Sequence, residues 1–221
     1  MTDIRTLDLD DGLDSARVEL KYSRRRLQKR DVTRPYVAAF DALLARWPAS
    51  RDGQLAHWDA EDDADVDVAD VDDDLDDAMR DLDLALLTRV VSRDHPQYKH
   101  YFGDDTVNAV QRLGLEAQIA RVEGWPESLR AIGGTVEAAG VRIAAIVTAG
   151  RAALTARVRA AQARADYRAR EMQTFVDDMN ALRRSTFGAL VAYAALNSLP
   201  ASWPNRFFRR GRPRRRRTSE G

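Results

Sequence analysis

Between residues 59 and 83 the chain carries fourteen Asp and Glu against a single Arg. Within the same stretch and just beyond it, Ala64, Val68, Val71, Leu75, Ala78, Leu82 and Leu86 recur at steps of 4, 3, 4, 3, 4 and 4. Such steps place the apolar residues on one stripe of an α-helix and leave the acids on its other faces. The alternation Asp65-Val66-Asp67-Val68 is strand-like, but Asp is depleted from strands and the helical register continues for several turns past it. A chain whose most charged stretch keeps a helical apolar period must pack as helices along that stripe.

A second stripe follows the same logic. Leu154, Val158, Ala161, Ala165, Met172, Phe175, Met179 and Leu182 share a face that only Arg168 interrupts, and the spacing predicts a helix over 150–197. Leu13, Ala16, Leu20 and Leu27, then Tyr36, Phe40, Leu43 and Trp47, predict a helix over 10–48 that kinks at Asp31 to Pro35. Pro48 to Gly53 reads as a turn, and Asp94 to Gly103 as a second break, after which Asp104 or Asp105 caps the next helix. Gly124-Trp125-Pro126 stops or kinks that helix, and a weaker break falls at Thr148 to Gly150. The expected fold is therefore all-α, an elongated antiparallel bundle of about four long helices over residues 1–205, followed by a flexible arginine-rich tail over 206–221.

At 221 residues, 44% apolar and 32% charged, the chain can bury a sizeable core. It has no cysteine, which excludes disulfides and thiol chemistry. Met1 to Asp14 is acidic and lacks an apolar core, and no run of 18 uncharged apolar residues occurs. The expectation is a cytoplasmic protein with no transmembrane segment.

Folding the first two helices about residue 51 predicts that Arg24, Arg25, Arg26, Lys29, Arg30 and Arg34 lie level with the acidic cluster. Arg157, Arg159, Arg164, Arg168 and Arg170 of the last helix then stand at a nearby height. The acids are thus expected to fix helix register by charge complementarity inside the molecule. Asp63, Asp65 and Asp67 have the opening spacing of a calcium loop, but Val68 stands where the loop needs Gly, and Asp74 where it needs a bidentate Glu. Asp73-Asp74-Leu75-Asp76-Asp77 resembles the DDxxD magnesium motif of helical prenyl and terpene synthases. That resemblance implies that Asp73, Asp74 and Asp77 hold magnesium against a diphosphate. It covers five residues, and the downstream Asp177-Asp178-Met179-Asn180 is followed by Ala181 and Ser185 without the Glu of the family's second motif.

The histidines, His57, His95 and His100, lack the i, i+4 spacing of a zinc helix. No phosphate-binding glycine motif or nucleophile elbow is present, and Gly133-Gly134 sits in what reads as a small-residue helix. No cofactor and no catalytic or metal residue is assigned, and the chain is read as a non-enzyme. Tyr98, Tyr101 and Phe102 suit closure of a bundle end or an exposed aromatic surface. The Gly- and Ala-rich segment 131–154 suits close helix packing, or a mobile hairpin through which a helical bundle meets a membrane.

After the aromatics of Ser202 to Phe208, which suit folding back onto the last helix, the chain holds Arg206, Arg209, Arg210, Arg212, Arg214, Arg215, Arg216 and Arg217 with no acid among them. Gly211 and Pro213 oppose regular structure there. This arm is the expected polyanion-binding element. The sequence thus points to a binding or scaffolding protein that docks on nucleic acid or on an acidic protein surface, with self-association also open to it.

Overall fold

Residues 4–209 are described by a computed structural model, and among them every regular element is helical. A 3-10 turn at Leu9–Asp11 enters α1 (Gly12–Gln28), and another at Asp31–Tyr36 enters α2 (Val37–Val90). Short helices follow: α3 (Pro96–Phe102), α4 (Val107–Gln111), α5 (Leu115–Val122) and α6 (Trp125–Arg130). Then come α7 (Gly134–Tyr167), a π-helical turn (Arg168–Met172), α8 (Gln173–Leu196) and a last 3-10 turn (Pro204–Phe207).

The first expected turn does not form, because Pro48 and Gly53 lie inside the 54-residue α2. A proline within a helix costs on the order of 3 kcal/mol. Contacts on both sides of it offset that cost. Trp47 Nε1 donates to the Leu13 carbonyl (3.0 Å), and Tyr167 Oη donates to the Ser50 carbonyl (2.9 Å). What was expected as a kink at Asp31 to Pro35 is the true hairpin. Arg30 is extended there, and the buried Thr33 hydroxyl donates to the Leu27 carbonyl at 2.5 Å. α1 consequently runs back along the start of α2, with Arg24 paired to Asp41 at 2.6 Å.

The break expected at Thr148 to Gly150 is also absent. Gly150 is helical because a Cβ there would lie 2.6 Å from Ile119 Cδ1, so the small residue permits close approach. Gly133 and Gly134, expected within a helix, instead adopt positive φ (79° and 65°) and make the actual break before α7. Helix then continues from Gly134 to Leu196, 63 residues in all. Neither Asp104 nor Asp105 caps the helix after Gly103. Thr106 does so, its Oγ1 accepting from Ala109 N.

The chain divides into two compact units, one formed by the residues up to His57 with those from Arg164 onward, the other by Trp58–Ala163. In the first, α1, the start of α2, α8 and the C-terminal segment enclose Leu13, Leu20, Leu27, Phe40, Phe175, Met179, Leu190, Trp203 and Phe207. The N-terminal segment is strapped to α8. Asn180 Oδ1 accepts from Leu7 N (3.1 Å) and its Nδ2 donates to the Leu7 carbonyl (2.8 Å), while Arg183 donates to the Arg5 carbonyl. The π turn inserts an extra residue at the position where Arg168 breaks the apolar stripe. Met172, Phe175 and Met179 are buried beyond it, whereas Val158, Ala161 and Ala165 before it are exposed.

In the second unit α2 and α7 run antiparallel, with Arg142 bonded to Asp81 at 2.5 Å and Gly150 facing Val71. The short helices close the core. Tyr98, Tyr101, Phe102 and Trp125 are buried together, with Trp125 edge-on to both Tyr101 and Phe102. These rings close a core rather than forming an exposed surface.

Candidate functional site

α1 has a buried face made by Leu13, Ala16, Leu20 and Leu27. Lys21, Arg25 and Lys29 at i, i+4 and i+8, with Tyr22 and Arg26 beside them, form a stripe on another side of the same helix. The C-terminal segment lies against this stripe and is held by its aromatic residues. Trp203, Phe207 and Phe208 are buried, Trp203 packs on Tyr193 at 5.7 Å, and Phe208 meets Phe187 edge-on at 5.7 Å. Arg26 Nε donates to the Arg206 carbonyl at 2.9 Å and so fixes the segment across α1.

Between these two elements run three adjoining grooves. The largest, about 590 Å³, is lined by Val18, Lys21, Tyr22, Arg25, Arg26, Lys29 and Arg209. The next shares Tyr22, Arg26 and Arg209 and adds Asn205, Arg206 and Phe208, and the third is lined by Arg26, Lys29, Arg30, Arg206 and Phe207. Lys21, Arg25, Arg26, Lys29, Arg30, Arg206 and Arg209 thus face one track, and among the described residues no acid lines any of the three grooves. Arg24, the neighbour that points to α2, is neutralised by Asp41. Lys21, Arg25, Lys29, Arg30, Arg206 and Arg209 make no ion pair with another described residue. Clustered cations without counter-charges around a concave surface concentrate anions there.

Of the eight arginines assigned from sequence, Arg206 and Arg209 are on this face and exposed. Arg210, Arg212, Arg214, Arg215, Arg216 and Arg217 lie outside the described residues. The α1 cations were missed as a site because the expected turn at Pro48 to Gly53 assigned them to the acidic helix. Their i, i+4, i+8 spacing beside an apolar stripe was the available signal.

The acidic segment is built differently from its sequence readings. α2 is continuous through Asp63 to Asp74, so no calcium loop forms there. Asp73 and Asp74 are exposed, Asp77 pairs with Arg80 at 2.5 Å, and among the described residues no group of three or more His, Asp or Glu is arranged to hold a metal ion. Asp178, of the second motif, is paired with Arg46. Asp72 and Asp76 are both pushed above the usual carboxylate range, first by burial and, with opposing help from Gln118 and Arg80 at Asp76, by the neighbouring acids. Asp83 is buried and accepts from the Tyr98 hydroxyl at 2.5 Å, with Arg93 at 3.3 Å. In the second unit Asp77 pairs with Arg80, Asp81 with Arg142 and Asp83 with Arg93.

The histidines serve packing and capping. His57 packs on Tyr167 at 4.8 Å, His95 Nδ1 caps α3 by accepting from Gln97 N, and His100 meets Tyr101 edge-on. In segment 131–154, Val136, Ala139, Gly140, Ile143, Ile146, Val147, Gly150 and Ala153 are buried against the second unit's core. Helix Gly134–Leu196 contains an 18-residue window long and apolar enough, by composition, to cross a membrane.

Searches against protein families, curated proteins and solved structures return no match. The site's own chemistry carries the functional reading.

Proposed function

We propose that this chain is a binding module that docks on a polyanion through the face shared by α1 and the C-terminal segment, extended by the arginines that follow Arg209. The observation that carries the reading is the continuous track of Lys21, Arg25, Arg26, Lys29, Arg30, Arg206 and Arg209, with no acid among the described residues that line it. Cations on a folded helix are held in place before binding, so less side-chain entropy is lost than by a free arm. The arginines after Arg209 add charge.

Fluorescence anisotropy with labelled nucleic acid across a salt series tests this, comparing the intact chain, a version ending at Phe208, and Lys21→Glu with Arg25→Glu and Lys29→Glu. Submicromolar binding at physiological salt, weakened by truncation and again by charge reversal, is the expected result. The salt slope counts the phosphates contacted. Binding that disappears at moderate salt, or that charge reversal leaves unchanged, overturns the proposal.

A further inference from the structure

The three grooves have one feature that a purely electrostatic surface does not require. Tyr22 lines both of the larger ones at their junction, flanked along α1 by Lys21, Arg25 and Arg26. Its ring stacks on no other aromatic residue, and its hydroxyl makes no hydrogen bond to another described residue. Half-buried tyrosines usually place the hydroxyl in a hydrogen bond or the ring in a packed cluster. Here Tyr22 lines a cationic groove instead.

Resting on the polyanion reading above, we propose that this groove takes single-stranded nucleic acid, with a base stacked on Tyr22 and the flanking phosphates held by the cations. Three physical features of the grooves support this. First, the grooves adjoin in series, sharing Tyr22, Arg26 and Arg209 and then Arg26 and Arg206. A series of cationic subsites fits a polymer with repeating phosphates, not a single nucleotide. Second, a duplex keeps its bases stacked inside and offers nothing to an isolated ring, whereas an unpaired base exposes a π face that an aromatic side chain can take. Third, the exposed apolar contribution is Val18, 47% accessible, with no second large apolar side chain among the exposed lining residues. An amphipathic helix that lies on a lipid surface needs a broad exposed apolar face, and α1 has spent its own on the core.

Arginine reinforces the assignment. Its planar guanidinium can both pair with phosphate and stack on a base, and Arg25, Arg26, Arg206 and Arg209 all border the ring or the adjoining groove. Because stacking on one ring is indifferent to base identity, binding is expected to be largely independent of sequence.

The test uses the full chain with three labelled nucleic-acid probes of matched length, oligo(dT), the same phosphodiester backbone carrying abasic sites, and duplex DNA, together with labelled vesicles of phosphatidylglycerol. The variants are Tyr22→Leu, which keeps an apolar side chain on a folded helix, and Tyr22→Phe, which keeps the ring. The expected result is that oligo(dT) binds roughly tenfold tighter than the abasic strand, a factor within the range for stacking of one base. Tyr22→Leu should remove that ratio and Tyr22→Phe should keep it, with circular dichroism unchanged in both. Equal affinity for oligo(dT) and the abasic strand, or a ratio that Tyr22→Leu leaves intact, overturns the single-strand assignment while leaving the polyanion reading in place. Tighter binding to duplex DNA or to the vesicles overturns it in favour of those surfaces. Failure of every probe to bind at physiological salt removes the polyanion reading itself.

Discussion

Gly53 abuts the hydroxyl end of Tyr167: a Cβ at position 53 would overlap Tyr167 Oη and sit 2.6 Å from Cζ. The glycine is therefore in the middle of α2 for its absent side chain, and the same tyrosine bonds the Ser50 carbonyl one turn earlier. Glycine costs a helix about 1 kcal/mol relative to alanine. Gly53→Ala should nonetheless destabilise the protein, by about 1–3 kcal/mol, because overpacking outweighs propensity. In a Tyr167→Ala background the same substitution should become stabilising by about 1 kcal/mol. Chemical denaturation of the four proteins gives both numbers, and additivity would refute the steric account.

Arg183 is fully buried on α8, with Glu19 of α1 at 3.3 Å and the Phe208 ring 5.9 Å from its guanidinium carbon. Burial pulls its pKa down and the Glu19 carboxylate opposes that. Glu19→Gln leaves a buried cation without its counter-charge and should cost about 3–5 kcal/mol. Replacing both partners, Glu19→Leu with Arg183→Met, should restore most of that loss. Urea melts followed by circular dichroism separate the two outcomes.

Tyr98 should ionise late. Burial and the bond to Asp83 raise its phenol to about 12, against the opposing charge of Arg93. A group whose folded pKa is raised contributes stability that is fully present below its unfolded value near 10 and lost as pH rises toward 12. An ultraviolet tyrosinate titration of the folded chain should show a phenol titrating near 12 that is missing in Tyr98→Phe. In the pH 10–12 window Tyr98→Phe should lose less stability than the parent.

For Asp72 the sign is the same. Its carboxyl is raised by burial and then by Asp76 and Asp73, and its Oδ1 is buried without a partner. The associated stability is present below the ordinary aspartate pKa and is lost as pH rises through the raised folded value. Asp72→Asn should therefore stabilise the second unit at neutral pH, and that advantage should shrink on acidification. Hydrogen exchange of the α2 amides around Leu75 at pH 7 and pH 4 measures it, and an advantage that grows in acid would contradict the stated cause.

The N-terminal strap provides a local test. Asn180 satisfies both backbone groups of Leu7, so Asn180→Ala leaves a buried amide and carbonyl unpaired, at a cost of about 1–3 kcal/mol. Limited proteolysis should cut near Leu7 faster in the variant, with α2 unaffected.

The apolar stripe Ala64 to Leu86 determined, without any tertiary information, that α2 is a helix with most of its acids outside the core, because side-chain direction along a helix depends only on residue spacing. Leu75, Ala78, Leu82 and Leu86 are indeed fully buried. The aromatics after Ser202 likewise announced a segment that folds back, since so much apolar ring surface is costly to leave in water. Punctuation was less legible. Pro48, Gly53 and Gly150 have the composition of breaks, yet each is helical because a partner distant in sequence bonds or fills the space beside it. Gly133 and Gly134 do break the chain through positive φ, a conformation that composition alone does not distinguish from a small helical contact. The basic face depended on that difference. Local sequence placed cations on α1, but only the hairpin at 29–36, and the seating of Trp203 to Phe208, decided that Lys21, Arg25, Arg26 and Lys29 border the same grooves as Arg206 and Arg209 around Tyr22.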